Sequence, residues 1–426
     1  MSICIFEDVS ISSLLPLTHV QADFDLRCGI FTALERAQAH FAGEDVRLYS
    51  RMGLAAVLRE RHGLPVNEAG ASRLFLNGRL LLDASLVELL KNTAEDTVVL
   101  HDGVPVAIVA ESDRMRSGIH AWLTATSLKE ELTASAVHDA RPDMRDARII
   151  QHPSRLLTWP WDIIEHTPSL LLEDAARFPL GSIHASAECA NSVELIAPKA
   201  IHIAAESRVR SGVVLDASEG PIVIDEGAEI MPQSVLLGPL YVGKRSRVKV
   251  AAKIYEHTVI GPLCKVGGEV EATVFHSFAN KQHDGFVGHS YFAPWTNLGA
   301  DSNTSDLKNN YSVIRATTEG REHSTGRMFL GTIMADHAKC GINTMFNTGT
   351  VVGPGCNVHG GGFPPKFLPA FSWGGADGLE EYDFEKFRET AERVMARRGV
   401  TCTAAERDVL HDAFVRTAAQ RISFHH

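Results

Sequence analysis

The chain has 426 residues, 45% hydrophobic and 22% charged, with a formal net charge of −11. That length allows two or three domains with cores of their own, and the composition is that of a soluble globular protein. The acidic balance excludes a general binder of nucleic acid or anionic membrane, whose affinity comes from Lys and Arg on phosphates.

The start, MSICIFEDVS, has acids at Glu7 and Asp8 and no basic segment, so no signal peptide is expected. No apolar run reaches the length of a membrane span. Unclustered cysteines without a CxxC pair fit a reducing cytoplasm and give no zinc signal.

Up to about residue 175, strand-like and helix-like patterns alternate, which predicts a parallel sheet with helices on its faces. The strands fall at Ile3–Phe6, Val46–Tyr49, Arg73–Leu76, Thr97–Leu100 and Val106–Ala110. Amphipathic stretches lie at Leu26–Phe41, Leu54–Arg61 and Leu86–Lys91, and Trp161–Phe178 reads as a closing helix after Pro160.

From about Ile183 the pattern becomes a six-residue grid. Ile224, Ile230, Leu236, Val242, Val248, Ile254, Ile260 and Val266 stand six apart without a gap. Small residues follow four positions later at Ala228, Ser234, Ser246, Ala252, Thr258 and Cys264, with Leu240 the exception. Each hexad thus puts one large and one small side chain inward, a flat strand and then a tight corner, and a helix would smear the stripe. Repeats of this length are a β-helix signature, here a triangular prism with three hexads per coil.

Ile203, Val209 and Leu215 form an early part of the grid. After Val266 the spacing slips by two and resumes at Val274, Phe286, Phe292 and Leu298, with Asn280 breaking the series. A polar excursion runs from Asp301 to Gly326, and the grid returns at Met334, Cys340, Phe346, Val352 and Val358. Gly360–Gly375 ends it with proline and glycine. Tyr382–Arg398 and Ala404–Arg416 read as helices, the second opened by a Thr403/Glu406 capping box; solenoids need caps, so the pair is expected to cover the open end. The expected division is 1–178, 179–375 and 376–426.

The segment NKQHDGFVGHSYFAPWTNLGADSNTSDLKNNY (Asn280–Tyr311), with IGPLCKVGGEV (Ile260–Val270) and FNTGTVVGPG (Phe346–Gly355), resembles a known family. It is similar to the acyltransferase half of the bifunctional N-acetylglucosamine-1-phosphate uridyltransferase/glucosamine-1-phosphate acetyltransferases, and closer still to putative sugar nucleotidyltransferases built on that plan. The resemblance implies an α/β nucleotidyltransferase domain, a left-handed parallel β-helix that trimerises, and a short helical segment after it. It implies sugar-phosphate and nucleotide substrates, acetyl-CoA as acyl donor and Mg²⁺ in the N-terminal domain.

Matched residue by residue, His283 takes the place of the general base and Asn297 that of a substrate-binding asparagine. Phe286 stands where the family has a substrate-contacting tyrosine. Lys265 replaces a phosphate-binding arginine, keeping the charge and losing the fork. Asn310–Tyr311 resembles an Asn-Tyr pair with four extra residues before it, and Lys281 is matched to a further phosphate contact. LLPLT, DLRCG, FLNGRLLLD and WPWDII resemble the nucleotidyltransferase half, where Arg27, Asn77, Arg79 and Asp162 become candidates for nucleotide or phosphate. The glycine-rich GxGTR loop of true pyrophosphorylases is absent. Arg79 also follows Asn77–Gly78 where those enzymes place a Mg²⁺ aspartate, and a guanidinium cannot ligate that ion. Arg27 and Arg79 are therefore expected to clamp a phosphate or diphosphate.

Acyl transfer to an amine needs a base of near-neutral pKa, the range of histidine. His289, His337 and His359 sit in or beside the repeats, where a three-fold axis would gather copies around a metal; a hydrogen-bonded core histidine is the commoner state, and no metal site is assigned. Three functions remain open: a two-domain sugar-phosphate transferase, a protein keeping one of the two activities, and a non-catalytic trimeric scaffold that binds nucleotide sugar.

Overall fold

The computed structural model describes residues 2–68, 70, 72–127 and 147–421. The chain divides into two compact units, one of Met1–Leu26, Phe31–Pro160 and Thr403–Asp412, the other of Arg27–Ile30, Trp161–Cys402 and Ala413–His426.

The strands of the first unit are β1 (Ser2–Phe6), β2 (Asp45–Tyr49), β3 (Leu74–Asn77), β4 (Leu80–Leu81), β5 (Thr97–His101), β6 (Val104–Val109), β7 (Arg148–Gln151) and β8 (Arg155–Leu156). They form a six-stranded sheet in the order β2-β1-β3-β6-β5-β7, with β4 paired to β8 apart from it. Its helices are α1 (Ala33–His40), α2 (Met52–His62), α3 (Ala84–Asn92) and α4 (Asp113–Ser127). On one face Phe6, Phe75, Val98 and Ile108 pack against Met115, Ile119 and Leu123 of α4.

This sheet corrects the expectation of all-parallel strands. β1, β2 and β3 are parallel, but β6 runs antiparallel to both β3 and β5. The cause is local: Asp102 and Gly103, with φ of 47° and 79°, close a two-residue hairpin, and Asp-Gly favours that turn. Likewise Leu26–Phe41 is helical only from Ala33, because Thr32 and Glu35 form a complete capping box that starts the helix there.

The second unit opens with α5 (Asp162–Ala175) and continues as the expected left-handed parallel β-helix of about eleven coils. Its faces are parallel sheets of eleven, six and ten strands, the first closed by one antiparallel edge strand, Gly378–Glu381. The hexad aliphatics form one continuous core, all nearly inaccessible to solvent. Each such side chain contributes about 1.5–3 kcal/mol on burial. Corners recur with the hexad: Arg245, Ala251, His257 and Leu263 all have φ of 55–60°. Coils approach so closely at Gly261 that a Cβ there would lie 1.8 Å from the His276 carbonyl oxygen.

Beyond Val266 the grid departs from its expected phase by one residue. Ile260 pairs with Phe275, Val266 with Lys281 and Val270 with Val287, so Phe275, Lys281 and Val287 take the inward positions. Asn280 and Phe286, placed inward by the sequence reading, face outward. A one-residue slip sends every side chain of a strand to the other face, and here shortened corners such as Gly267–Gly268 supply it.

The C-terminal helix α6 (Phe384–Ala396) does not close an open end. It runs along a corner of the prism: Phe387 meets Phe371 edge-on at 5.0 Å and His337 at 6.0 Å, Met395 packs with Trp295, and just past the helix Arg398 donates to the Leu263 carbonyl. Corner residues repeat at the coil spacing of about 4.8 Å, close to the rise of one helical turn, so a narrow apolar stripe can follow them.

Candidate functional site

Lys265, Asn280, Asn297, Lys339 and Asn357 form one outward column on consecutive coils of the eleven-stranded sheet. His283 sits in the corner that follows Lys281 and is exposed. Half-buried Phe286 begins the next face, its backbone N–H donating to Asn303 Oδ1 at 2.8 Å. Lys265, Asn297, His283 and Phe286 therefore share one region. Asn310 and Tyr311 lie exposed on the excursion, with Tyr311 in the left-handed conformation and Asn310 Oδ1 accepting from the Ser312 N–H.

Lys281 stands apart from the other matched residues. It is 1% exposed at an inward grid position, and its ammonium donates to the carbonyl oxygens of His283 at 2.7 Å and Asp284 at 3.2 Å. In that place it holds the His283 corner from within. Burial pushes it down to about 8 against the pull of Asp284 and Asp301.

Lys265 is lowered first by burial and then by Arg398, Arg247, Arg397 and Lys249 around it. Arg247 has an acid of its own, Glu229 at 2.8 Å. The remaining cluster is a field suited to phosphate groups. Arg397 and Arg398, at the end of α6, were not legible in the sequence, since nothing in local spacing ties them to Lys265.

At the opposite edge of the Phe286 face, His289 Nδ1 lies 2.8 Å from Asp306 Oδ2. The ring stacks on Phe329 at 5.0 Å. The sequence reading weighed His289 only as a metal ligand, because Asp306 comes seventeen residues later on the excursion.

In the first unit, the carboxyl ends of β1 and β3 carry a buried polar crevice. Arg79 holds both Asp8 oxygens, at 3.1 and 2.6 Å, and donates to the Leu157 carbonyl at 2.8 Å. Asn77 donates to Asp8 at 2.8 Å and accepts from the Arg79 N–H. Glu7 is paired with Arg51 at 3.1 Å. Asp23, wholly buried, has no hydrogen-bond partner for either carboxylate oxygen. Burial raises its pKa well above the usual carboxylate range, and Glu7 and Asp8 reinforce the shift.

Mg²⁺ does not fit this donor set. Both Asp8 oxygens face a guanidinium and an amide, and no group of three acidic, His or Cys side chains suited to a metal occurs among the described residues. The phosphate clamp expected of Arg27 and Arg79 is corrected for the same reason. Arg79 is tied to Asp8, while Arg27, in the second unit, donates to the carbonyl oxygens of Ile30 and His276. Asp162, also in the second unit, begins α5 and lies 3.7 Å from Arg327.

Residues 3–182 match the family described as sugar nucleotidyl transferase. Over 145 residues the chain is 28% identical to a bifunctional sugar-1-phosphate nucleotidylyltransferase/acetyltransferase of Sulfurisphaera tokodaii, covering 34% of this chain and 36% of that protein. The chain thus spans about a third of that relative's length. Among solved structures, a UDP-N-acetylglucosamine acyltransferase is similar at 11% identity and TM-score 0.22, over 49% of this chain and 77% of its own. The UDP-N-acetylglucosamine O-acyltransferase of Moraxella catarrhalis gives 13% and 0.24, over 57% and 93%. No helix among the described residues is long and apolar enough to cross a membrane.

Proposed function

We propose that the chain is a sugar-phosphate transferase with a nucleotidyltransferase-type N-terminal domain and an acetyl-CoA-dependent acyltransferase-type β-helix, acting in nucleotide-sugar or cell-envelope precursor synthesis. The observation that carries this reading is the union, in one chain, of a segment matching sugar nucleotidyl transferases and a hexad-built β-helix with an exposed imidazole beside a cationic field. The domains follow the division 1–178, 179–375 and 376–426, the protein is a cytoplasmic homotrimer, and its substrates are a sugar phosphate and a nucleotide.

In this reading His283 takes the proton from an acceptor amine as its nitrogen attacks the thioester carbon, and the released thiolate is then protonated. Lys265, with Arg397 and Arg398 beside it, holds acceptor or coenzyme phosphate. Asn297 and Phe286 line the acceptor, and Asn310 and Tyr311 approach it from the excursion. The filled crevice of the first unit favours a second reading, in which only acyl transfer survives and the N-terminal domain binds without turnover.

The test is thiol release from acetyl-CoA with glucosamine-1-phosphate, alongside sugar-1-phosphates with nucleoside triphosphates and Mg²⁺. His283→Ala should lower thiol release about 100-fold or more. Release that survives this change removes His283 as the base. No turnover and no ligand-induced stabilisation in either assay would leave the scaffold.

A further inference from the structure

Two histidines border the outward Phe286 face, and they differ in how they are held. His283 is exposed, and its side chain has no hydrogen-bond partner. His289, 21% exposed, has Nδ1 fixed by Asp306, which is 13% exposed, while Nε2 is neither buried nor bonded to the protein. Its backbone is tied down as well, the N–H donating to Glu271 and the carbonyl accepting from Gly331.

Asp306 is equally fixed. It packs on Gly288, where a Cβ would come within 2.2 Å of Oδ2, and its carbonyl accepts from the Leu330 N–H. Phe329, 43% exposed, leaves an apolar surface against the imidazole face. The other titratable groups facing His289 are Glu271, Glu256 and His257.

A carboxylate on Nδ1 sets the tautomer, leaves the Nε2 lone pair outward and stabilises the imidazolium as it forms. Activating a hydroxyl calls for that support, because its proton is far less acidic than that of an ammonium group. We propose that His289, positioned by Asp306, is a general base for acyl transfer to a sugar-ring hydroxyl, distinct from amine transfer at His283. The proposal rests on the acyltransferase reading. In the step, His289 Nε2 takes the hydroxyl proton, the oxygen bonds to the carbonyl carbon of an acyl thioester, the carbon–sulfur bond breaks, and the imidazolium returns its proton to the thiolate.

The test uses the full chain with acetyl-CoA and two acceptors, glucose-1-phosphate and glucosamine-1-phosphate, with the product analysed for ester or amide. His289→Ala should lower the ratio of ester to amide formation about 100-fold, and His283→Ala should raise it. Asp306→Asn should slow ester formation and move the lower limb of its pH profile to lower pH, since loss of the anion makes the imidazole easier to deprotonate. If His289→Ala does not fold, His289→Gln, which keeps a donor toward Asp306, replaces it. An unchanged ratio in the His289 variant, or an unshifted profile in Asp306→Asn, overturns the proposal while leaving acyl transfer standing. Wild-type protein that forms amide alone also overturns it. Formation of neither product defeats the acyltransferase reading and this assignment together.

Discussion

The crevice of the first unit and the outward face of the β-helix both gather charged and polar side chains, but they handle them in opposite ways. In the crevice, Arg79 closes on Asp8 and Arg51 on Glu7, so the charges are neutralised within the protein. On the β-helix, Lys265 stands among cations and His283 has no side-chain partner. A preorganised field with unsatisfied capacity can bind and react, whereas a closed network mainly holds structure. The motif match falls on the first region and the chemical readiness on the second.

The comparison breaks most sharply at Arg79. Arg79→Met would leave Asp8 nearly buried with only the Asn77 amide facing it, and removing one partner of a buried pair costs about 3–5 kcal/mol. Denaturant unfolding of the variant should show a loss of that size. A cost below about 1 kcal/mol would mean that water reaches Asp8, the crevice is open, and a ligand could take the arginine's place.

The same contrast governs what the sequence could reveal. The hexads from Ile224 to Val266 predicted their own positions because each aliphatic has one inward slot and the corners are uniform. Past Val266 the corners change length, and no periodicity argument can count a corner whose length is set by glycines and backbone contact. Asn280 and Phe286 were therefore placed inward when Lys281 and Val287 hold those slots. His283 was legible because it lies in the corner between those strands, where the slip reverses no face. The His289–Asp306 pair was not, since its members meet only when the excursion folds back. In the first unit the Asp102–Gly103 hairpin was readable and was passed over in favour of the alternating pattern.

Asp23 gives a smaller and oppositely signed effect. Its folded pKa lies above the ordinary 3.8, so the native state keeps a proton that the unfolded chain releases. Stability from this group is therefore full below the unfolded value and falls as pH rises through the folded one. Asp23→Asn removes that loss and supplies a donor toward Glu7 and Asp8. A gain of about 1–3 kcal/mol at neutral pH is expected, the scale of satisfying a buried polar group. Melting curves should separate wild type and variant progressively between pH 4 and 7, and a constant gap would show that Asp23 is charged and solvated.

Lys281 sharpens the comparison from the side of the β-helix, for it is the one charge there enclosed as completely as those of the crevice. Burial holds it at about 8, below the ordinary 10.5, so the folded protein binds fewer protons than the unfolded chain between these values. Stability should rise with pH across that window, by about 1 kcal/mol from pH 7 to 9 for this group alone. Lys281→Met, which restores an apolar hexad, should remove that increment when the difference from wild type is followed by denaturant unfolding. The carbonyl oxygens of His283 and Asp284 would lose their donor in the variant, so amide formation should fall even where stability does not. A variant with full acyl transfer would show that the corner needs no support from within, and that the lysine is a tolerated intrusion in the core.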